Sequence, residues 1–331
     1  MKQYRSTILF GVVLFGLALA FAFKSHILRP NLGEALADTT EIRIRAESVP
    51  LNTEKPEQLR VGALEYVAGW ALSSPHKRFG GFSGLVVEED GSLLAISDQG
   101  DWFTAHFNPA AKEPLSQGDM HPFTANMPEY SKVAYDAESL IKAGEDYLVS
   151  FEQDHRLMLA RPDGWSKPWP QGEKIDFTSV ADNSGMEAIT WLSSGKLLAL
   201  TERGVDTQGR LRGWLVSDTG VDTVYFKPAV NFSPTDAALL PNGDVLLLMR
   251  FFSIAEGTAI KLVRIKAQDI KPGATLEGEE LAHMSPPFTV DNMEGLDVGL
   301  AADGTQLVYM LSDDNFNPSQ RTLLLVFALQ D

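Results

Sequence analysis

The sequence predicts an all-β fold, a β-propeller of five or six four-stranded blades. The main observation is a hairpin pattern that occurs five times: a small or acidic residue, an apolar run, a turn containing glycine, a second apolar run and a polar residue. The leading positions are 83, 138, 187, 236 and 294, so consecutive copies are 55, 49, 49 and 58 residues apart. Repeats of about 50 residues are typical of propeller blades. In addition, no long segment with helical periodicity follows residue 37.

The first 37 residues predict an export signal or an N-terminal membrane anchor. Lys2 and Arg5 precede an uncharged apolar run, residues 7–23, and Lys24 follows it directly. This order is typical of bacterial-type export signals. The run of 17 residues is also close to the minimum for a membrane-spanning helix, so an uncleaved anchor in the inner membrane stays open. The predicted location is periplasmic or secreted.

Residues 38–331 are predicted to form one propeller domain. Apolar and polar residues alternate over residues 41–46 and 59–67, which predicts strands before the first hairpin. After the last hairpin there is a single strand-like run, residues 322–329. We expect the N-terminal strands to complete the blade that begins at Glu294, because closure removes free sheet edges. If residues 41–82 instead form an independent blade, the ring has six blades.

The composition excludes several functional classes. A formal charge of −16 disfavours binding to nucleic acid or anionic lipid. The absence of cysteine excludes disulfides, thiolate metal sites and cysteine nucleophiles. The sequence also lacks a Walker loop, a His-Glu-x-x-His motif, a dinucleotide fingerprint and a Gly-x-Ser-x-Gly elbow. We therefore expect the protein to be a monomer that acts on a small molecule. We expect it to contact the inner membrane only through its N-terminal segment.

The hairpin repeat predicts a ring of carboxylates around the central channel. In a hairpin, the start of the first strand lies beside the end of the second, and the innermost hairpin of each blade faces the channel. The leading and trailing residues should therefore share one mouth. The expected neighbours are Ser83 with Asp98, Glu138 with Glu152, Glu187 with Glu202, Asp236 with Arg250, and Glu294 with Asp313.

Such a ring requires compensation of its charge. Two like charges 4 Å apart repel each other by about 4 kcal/mol at an effective dielectric constant near 20. Protonation, arginine partners or bound cations could offset this repulsion. Among metals the oxygen-rich ring favours calcium, with predicted ligands Asp98, Glu138, Glu187, Glu202, Glu294 and Asp313. The alternative is that these carboxylates only cap strand ends and accept hydrogen bonds from loop amides.

The sequence also offers candidates for catalysis. His155 lies three residues after Glu152, in a polar cluster that could transfer protons or bind an anion. The predicted catalytic residues are His155, Glu152 and Glu187. Four arginines are predicted to bind an anionic substrate group: Arg156, Arg203, Arg250 and Arg321. A loop histidine without a catalytic role is the alternative for His155.

Eight short motifs carry a resemblance to a known family, at residues 79–85, 97–98, 136–138, 151–156, 183–188, 291–295, 312–316 and 320–324. Over about residues 59–329, the chain resembles the phytase-like family described as having "esterase-like activity of phytase", which comprises secreted propeller proteins. The resemblance implies a periplasmic or secreted hydrolase of phosphate or carboxylic esters. It does not extend to phytate, because the Asp-Asp-Pro-Ala segment of alkaline β-propeller phytases does not occur.

Two functions are therefore compatible with the sequence. In the first, rim carboxylates hold calcium, which binds the substrate oxyanion and lowers the pKa of an attacking water. In the second, the same mouth binds a ligand or a protein partner without catalysis, as in many propellers. Turnover of a phosphate or acyl ester with calcium, compared with turnover in a chelator, distinguishes the two.

Overall fold

The computed structural model describes residues 38–124, 132–178 and 180–330. The apolar run at residues 7–23, predicted as an export signal or anchor, lies outside these ranges. Among the residues that the structure describes, no helix is long and apolar enough to cross a bilayer. Helical structure in these ranges is confined to α1 (Lys132–Tyr135) and two short 3₁₀ turns. The all-β prediction is therefore confirmed.

Five small sheets form the five blades of a propeller. The first strand named for each blade is the innermost, and the others follow outward. Blade 1 contains β5 (Phe82–Val87), β6 (Ser92–Ser97), β7 (Asp101–His106), β8 (Gln117–Pro122) and β1 (Thr40–Arg43). Blade 2 contains β9 (Ala137–Ala143), β10 (Asp146–Phe151), β11 (Arg156–Ala160) and β12 (Ser166–Pro168). Blade 3 contains β13 (Met186–Trp191), β14 (Leu197–Thr201), β15 (Leu211–Ser217), β16 (Gly220–Phe226) and β20 (Thr275–Leu276).

Blade 4 contains β17 (Ser233–Leu239), β18 (Val245–Ser253), β19 (Gly257–Ile265) and β21 (Glu279–Met284). Blade 5 contains β22 (Asn292–Leu300), β23 (Gln306–Asp313), β24 (Thr322–Leu329), β4 (Leu64–Ser73) and β2 (Arg45–Ser48), and β3 (Arg60–Val61) pairs with β4. The innermost strands contact one another in the order β5, β9, β13, β17 and β22, and β22 returns to β5. The ring is therefore closed.

The N-terminal strands close the last blade, as the sequence predicted. β4 pairs antiparallel with β24 over its length, with Leu72 opposite Thr322 and Leu64 opposite Leu329. The run at residues 41–46 is divided, however, because β1 pairs with β8 in blade 1, whereas β2 pairs with β4 in blade 5. The N-terminal segment thus joins the first blade to the last.

The core consists of apolar side chains packed between neighbouring blades. Inner strands are covered on both faces, so they are nearly continuous apolar runs instead of alternating ones. In β14, residues 197–200 are completely buried, and in β18 residues 245–249 are as well. This packing holds the inner ends of the strands, and therefore the channel mouth, in fixed positions.

Each inner hairpin contains one β-bulge at its mouth end. The residues left out of the pairing are Ser83, Glu138, Glu187, Thr235 and Glu294. A bulge adds one residue to a strand and changes the direction of its side chain. In blade 4 the bulged residue is Thr235, not Asp236, because Asp236 lies opposite Leu248 and Arg250 lies opposite Ser233. The predicted pair of Asp236 with Arg250 is therefore wrong by this shift in register.

Candidate functional site

Backbone pairing brings the trailing carboxylates to the same end of the blades as the bulges. The Asp98 N–H donates to the Gly81 carbonyl at 2.8 Å, and the Glu152 N–H donates to the Asp136 carbonyl at 2.8 Å. In blade 5, Asp313 lies opposite Asn292. Each trailing residue thus lies opposite a residue two positions before the bulge. Five blades contribute polar side chains to this mouth.

Three carboxylates of blade 2 converge most closely. One oxygen each of Asp136, Glu138 and Glu152 lies within 4.8 Å of the others. Asp136 and Glu138 are buried, with 1% and 8% exposure, and Glu152 is half-buried. We call these three residues the carboxylate triad. All of its possible metal ligands are carboxylate oxygens, which suit a hard cation such as calcium.

The triad differs from the predicted metal ligands. Of the six predicted ligands it contains Glu138 alone, and Glu152 had been predicted as catalytic. Asp136 was missed, although it lies two residues before Glu138 and residues at this spacing face the same side of an extended segment. The roles of Glu187, Glu202, Glu294, Asp98 and Asp313 as metal ligands stay predictions.

Burial and mutual repulsion raise the pKa values of the carboxylates at the mouth. The pKa of Glu138 lies well above its usual range because the group is buried, and because Glu187, Asp136, Glu152 and Glu294 repel its charge. For Glu187, burial is again the largest cause and Glu202 follows, with Arg250 opposing. The triad therefore continues into a larger group of carboxylates.

Asp313 and Glu294 extend this group into blade 5. The pKa of Asp313 is well above normal because of burial and the charges of Glu294 and Asp98. Burial raises the pKa of Glu294 to about 7, although Arg250 favours its ionised form. The Asn292 amide donates to Glu294 Oε1 at 2.8 Å and to Asp313 Oδ2 at 3.3 Å. Asn292 was not among the predicted site residues, and it bridges two of them.

Arg250 reaches from blade 4 between carboxylates of both neighbouring blades. Its Nη2 lies 3.4 Å from Glu294 Oε1 and 3.6 Å from Glu202 Oε1. Burial lowers the pKa of Arg250, but the carboxylates of Glu294, Glu202 and Glu187 raise it further, so the net shift is upward. Arg250 thus acts as an internal counter-ion, which was one of the three predicted forms of compensation.

The other predicted arginines have different surroundings. Arg203 Nε lies 2.7 Å from Glu202 Oε2, and its side chain is more than half exposed. Arg321 is also partly exposed, with Nε 4.0 Å from Asp291 Oδ2. Arg156 donates to the Ala134 carbonyl in α1, and its guanidinium lies over the Phe151 ring at 4.1 Å. Arg203 and Arg321 are therefore more accessible to an anion than Arg156.

His155 lies in the connection between β10 and β11. Its Nε2 is 3.1 Å from the Ala181 carbonyl, and its ring packs against Phe177 with centroids 5.3 Å apart. Because a carbonyl can only accept, Nε2 carries the proton and Nδ1 is the basic nitrogen. The ring is thus held by the loop that leads into blade 3. A catalytic role for His155 stays a prediction.

Some acidic residues near the mouth are caps, in agreement with the alternative interpretation. Asp314 Oδ1 accepts from the backbone N–H groups of Gly81 and Phe316, and its Oδ2 accepts from Thr322. Asp291 accepts from the backbone N–H groups of Asn292 and Arg321. Capping therefore accounts for these two carboxylates, while the triad retains its cluster of acidic neighbours.

Comparison with known families decides the relationship of the chain. The family described as "Phytase-like: Esterase-like activity of phytase" matches residues 77–316. The chain belongs to this family. The resemblance inferred from the eight motifs is thereby confirmed. The matched residues include the carboxylate triad and the carboxylates around it. No curated protein matches the chain.

Solved structures give more remote similarities to this phytase-like chain. An endo-arabinase from Bacteroides thetaiotaomicron has 10% identity and a TM-score of 0.47, with 87% of this chain and 98% of that chain covered. The pyranose dehydrogenase PQQ domain from Coprinopsis cinerea has 10% identity and a TM-score of 0.40, with coverage of 90% and 98%. Similarity at this level transfers neither substrate nor mechanism.

Proposed function

We propose that this phytase-like protein is an exported hydrolase of phosphate or carboxylic esters that uses calcium at the carboxylate triad. The observation that carries the proposal is the convergence of Asp136, Glu138 and Glu152, whose oxygens lie within 4.8 Å of one another in a largely buried site. Family membership supports the ester chemistry. The basic and apolar N-terminal segment supports export.

A cation at the triad would offset the repulsion between its carboxylates. The carboxyl group of Glu138 is buried and surrounded by acids, so without a cation it holds its proton at a raised pH. Arg250 is engaged with Glu202 and Glu294. A hard divalent cation bound by these carboxylates would compensate their negative charge in place of protons. When bound, such an ion supplies a Lewis acid for the substrate oxygen and a water of lowered pKa.

Residues around the triad would position the substrate and move protons. Glu187 interacts electrostatically with Glu138, and its raised pKa brings it toward the range in which a general base works at neutral pH. Arg203 presents a half-exposed guanidinium beside Glu202 and would hold an anionic substrate group. His155, which lies in the loop after Glu152 and is held by the Ala181 carbonyl, is the candidate acid that would protonate the leaving group.

One observation favours the second function, binding without catalysis. The side chains proposed for anion binding and proton transfer are partly used by the protein itself, since Arg156 donates to Ala134 and His155 to Ala181. An acidic mouth with these groups engaged suits a cationic or polyhydroxylated ligand. A binding module would retain calcium affinity or ligand affinity but show no turnover.

The test compares hydrolysis of p-nitrophenyl phosphate and p-nitrophenyl acetate in calcium and in EGTA. We expect turnover in calcium alone, and a reduction of about 100-fold or more in Glu138→Gln, because a ligand charge is lost. Glu145→Gln is the matched control, since Glu145 is exposed in the turn between β9 and β10 of the same blade. Calcium binding by calorimetry without turnover of either ester would reject the hydrolase and favour the binding module.

A further inference from the structure

A second concave site lies on blade 4, at the same end of the propeller as the mouth. A cavity of about 350 Å³ is lined by residues that include Val230, Phe232, Phe251, Glu256, Ala259 and His283. These residues stand where β17 begins, β18 ends, β19 begins and β21 ends. Because strands alternate in direction within a blade, these four strand ends meet on one face. That face also carries the pair of Ser233 with Arg250.

Three aromatic rings stand in the wall of this cavity. The Phe232 and Phe251 rings lie 5.7 Å apart at an angle of 36°, and His283 packs edge-on against Phe232 at 5.7 Å. Small-molecule sites typically have volumes of about 300–1,000 Å³ and apolar walls with a few polar groups at the rim. Asn231, Glu256, His283 and Ser285 are the polar residues of the lining. The cavity therefore has room for an apolar group of the size of a phenyl ring or larger.

The cavity lies next to the mouth along the backbones of β17 and β18. Phe251 follows Arg250 in β18, and consecutive Cα atoms lie about 3.8 Å apart. On the other strand, Phe232 precedes Ser233, which pairs with Arg250. Arg250 itself contacts Glu202 and Glu294. Phe232 and Phe251 are thus each one residue along the chain from the Ser233–Arg250 pair, a separation that a small amphipathic molecule can span.

Exposed apolar side chains lie on the two loops that carry much of the cavity lining. Val230 is 85% exposed in the loop before β17, and Phe252 and Ile254 are 61% and 81% exposed at the tip of the β18–β19 hairpin. Grouped apolar residues in water are typical of binding sites.

We propose that the Phe232–Phe251 cavity binds an apolar substituent of the substrate while the ester group lies at the mouth. The substrate class is accordingly an amphipathic ester, with a phenyl-sized group beside its phosphate or carboxylic ester. The assignment of the bound molecule as an ester rests on the proposed function. The affinity of the cavity for an apolar group is independent of that function. A concave site beside the mouth fits part of a small molecule better than a flat partner surface.

The experiment has one arm for the cavity and one for its link to the mouth. The first measures binding of benzyl alcohol to the full chain by saturation-transfer NMR. We expect binding in the wild type, with or without EGTA, and its loss in Phe251→Ala. Leu300→Ala is the matched control, because Leu300 is an exposed apolar residue at the end of β22, at the opposite end of the propeller from the cavity, and it should bind like the wild type. The second arm compares phenylphosphonate with methylphosphonate by calorimetry in calcium, and we expect at least tenfold tighter binding of the phenyl compound, lost in Phe251→Ala.

The two proposals fail in distinguishable ways. If neither phosphonate binds but benzyl alcohol does, the cavity is supported and the anion site at the mouth is rejected. If Phe251→Ala keeps the melting temperature and the benzyl alcohol signal of the wild type, the cavity proposal is overturned. Loss of the signal in Leu300→Ala as well would also overturn it, because Leu300 is remote from the cavity. If Phe251→Ala does not fold, Ala259→Met fills the same cavity from β19 and takes its place, with the same expected loss.

Discussion

Two groups of buried carboxylates on the inner strands have opposite surroundings. Asp236, just below the mouth, is completely buried and accepts hydrogen bonds from Ser139 Oγ at 2.7 Å and from the backbone N–H groups of Ala237 and Leu296 at 2.9 and 2.7 Å. Its donors belong to blades 2, 4 and 5. Asp297 similarly accepts from the backbone N–H groups of Val87 in blade 1 and Val298.

At the mouth, carboxylates of similar burial face one another. The neighbours that act on the charge of Glu138 are four other acidic residues. Burial raises the pKa of Asp236 and Glu138 alike, but hydrogen bonds oppose the shift at Asp236, whereas repulsion adds to it at Glu138. The difference teaches that neighbours decide the role of a buried carboxylate: donors from three blades hold Asp236, whereas Glu138 lies among acids, where we propose that a cation binds.

The largest expected effect tests the structural half of this comparison. Asp236→Ala removes the acceptor from three buried donors, each of which costs about 1–3 kcal/mol when it is left unsatisfied. We expect the free energy of unfolding, from urea denaturation, to fall by roughly 4 kcal/mol. Asp297→Ala should cost less, because Asp297 is half-buried and has two donors, one of them from its own neighbour. Equal stability of Asp236→Ala and the wild type would show that Asp236 does not tie the blades together.

Asp236 also shows how far the sequence could predict this fold and site. Hairpin spacing and apolar runs identified the repeats, the all-β class and the closure of blade 5, because these depend on strand periodicity. The position of a bulge does not depend on that periodicity. The prediction therefore placed Asp236 at the mouth, where the structure has Thr235. Convergence of Asp136 with Glu138 and Glu152, and the reach of Arg250 into two neighbouring blades, depend on side-chain directions that a single sequence does not specify.

The second prediction concerns the pH dependence of stability without calcium. Burial raises the pKa of Glu294 from its ordinary 4.5 to about 7 in the folded protein, so the folded state binds the proton more tightly than the unfolded chain. Its contribution is fully present below pH 4.5 and is lost as the pH rises through 7. We expect the free energy of unfolding in EGTA to fall by about 3 kcal/mol between pH 4.5 and 8, at about 1.4 kcal/mol per pKa unit. Glu294→Gln should flatten this decline, and a stability that instead rises over this range would contradict the arrangement.

The third prediction tests the triad as a cation site. A ligand that binds only the native state stabilises it by about 2.7 kcal/mol at a hundredfold excess over Kd. Calcium at neutral pH should therefore raise the melting temperature of the wild type, as measured by calorimetry. The rise should persist in Glu145→Gln and be strongly reduced in Glu138→Gln. An equal rise in Glu138→Gln would place the calcium site elsewhere.

The smallest effect is the most specific, because it has the opposite sign to an ordinary loss of a buried polar group. Without calcium at pH 8, the folded protein must either hold the Glu138 carboxylate against repulsion by Glu187, Asp136 and Glu152 or bind a proton there. Glu138→Gln avoids both costs, because its side chain is neutral. Each pKa unit of repulsion corresponds to about 1.4 kcal/mol, and we expect the variant in EGTA at pH 8 to be more stable than the wild type by about 1 kcal/mol. Calcium should then reverse the order, because the wild type alone binds it tightly. Urea denaturation of both proteins, with and without calcium, measures the crossing. If Glu138→Gln is the less stable protein under both conditions, Glu138 is a structural residue like Asp236, and the contrast between the two groups of carboxylates is wrong.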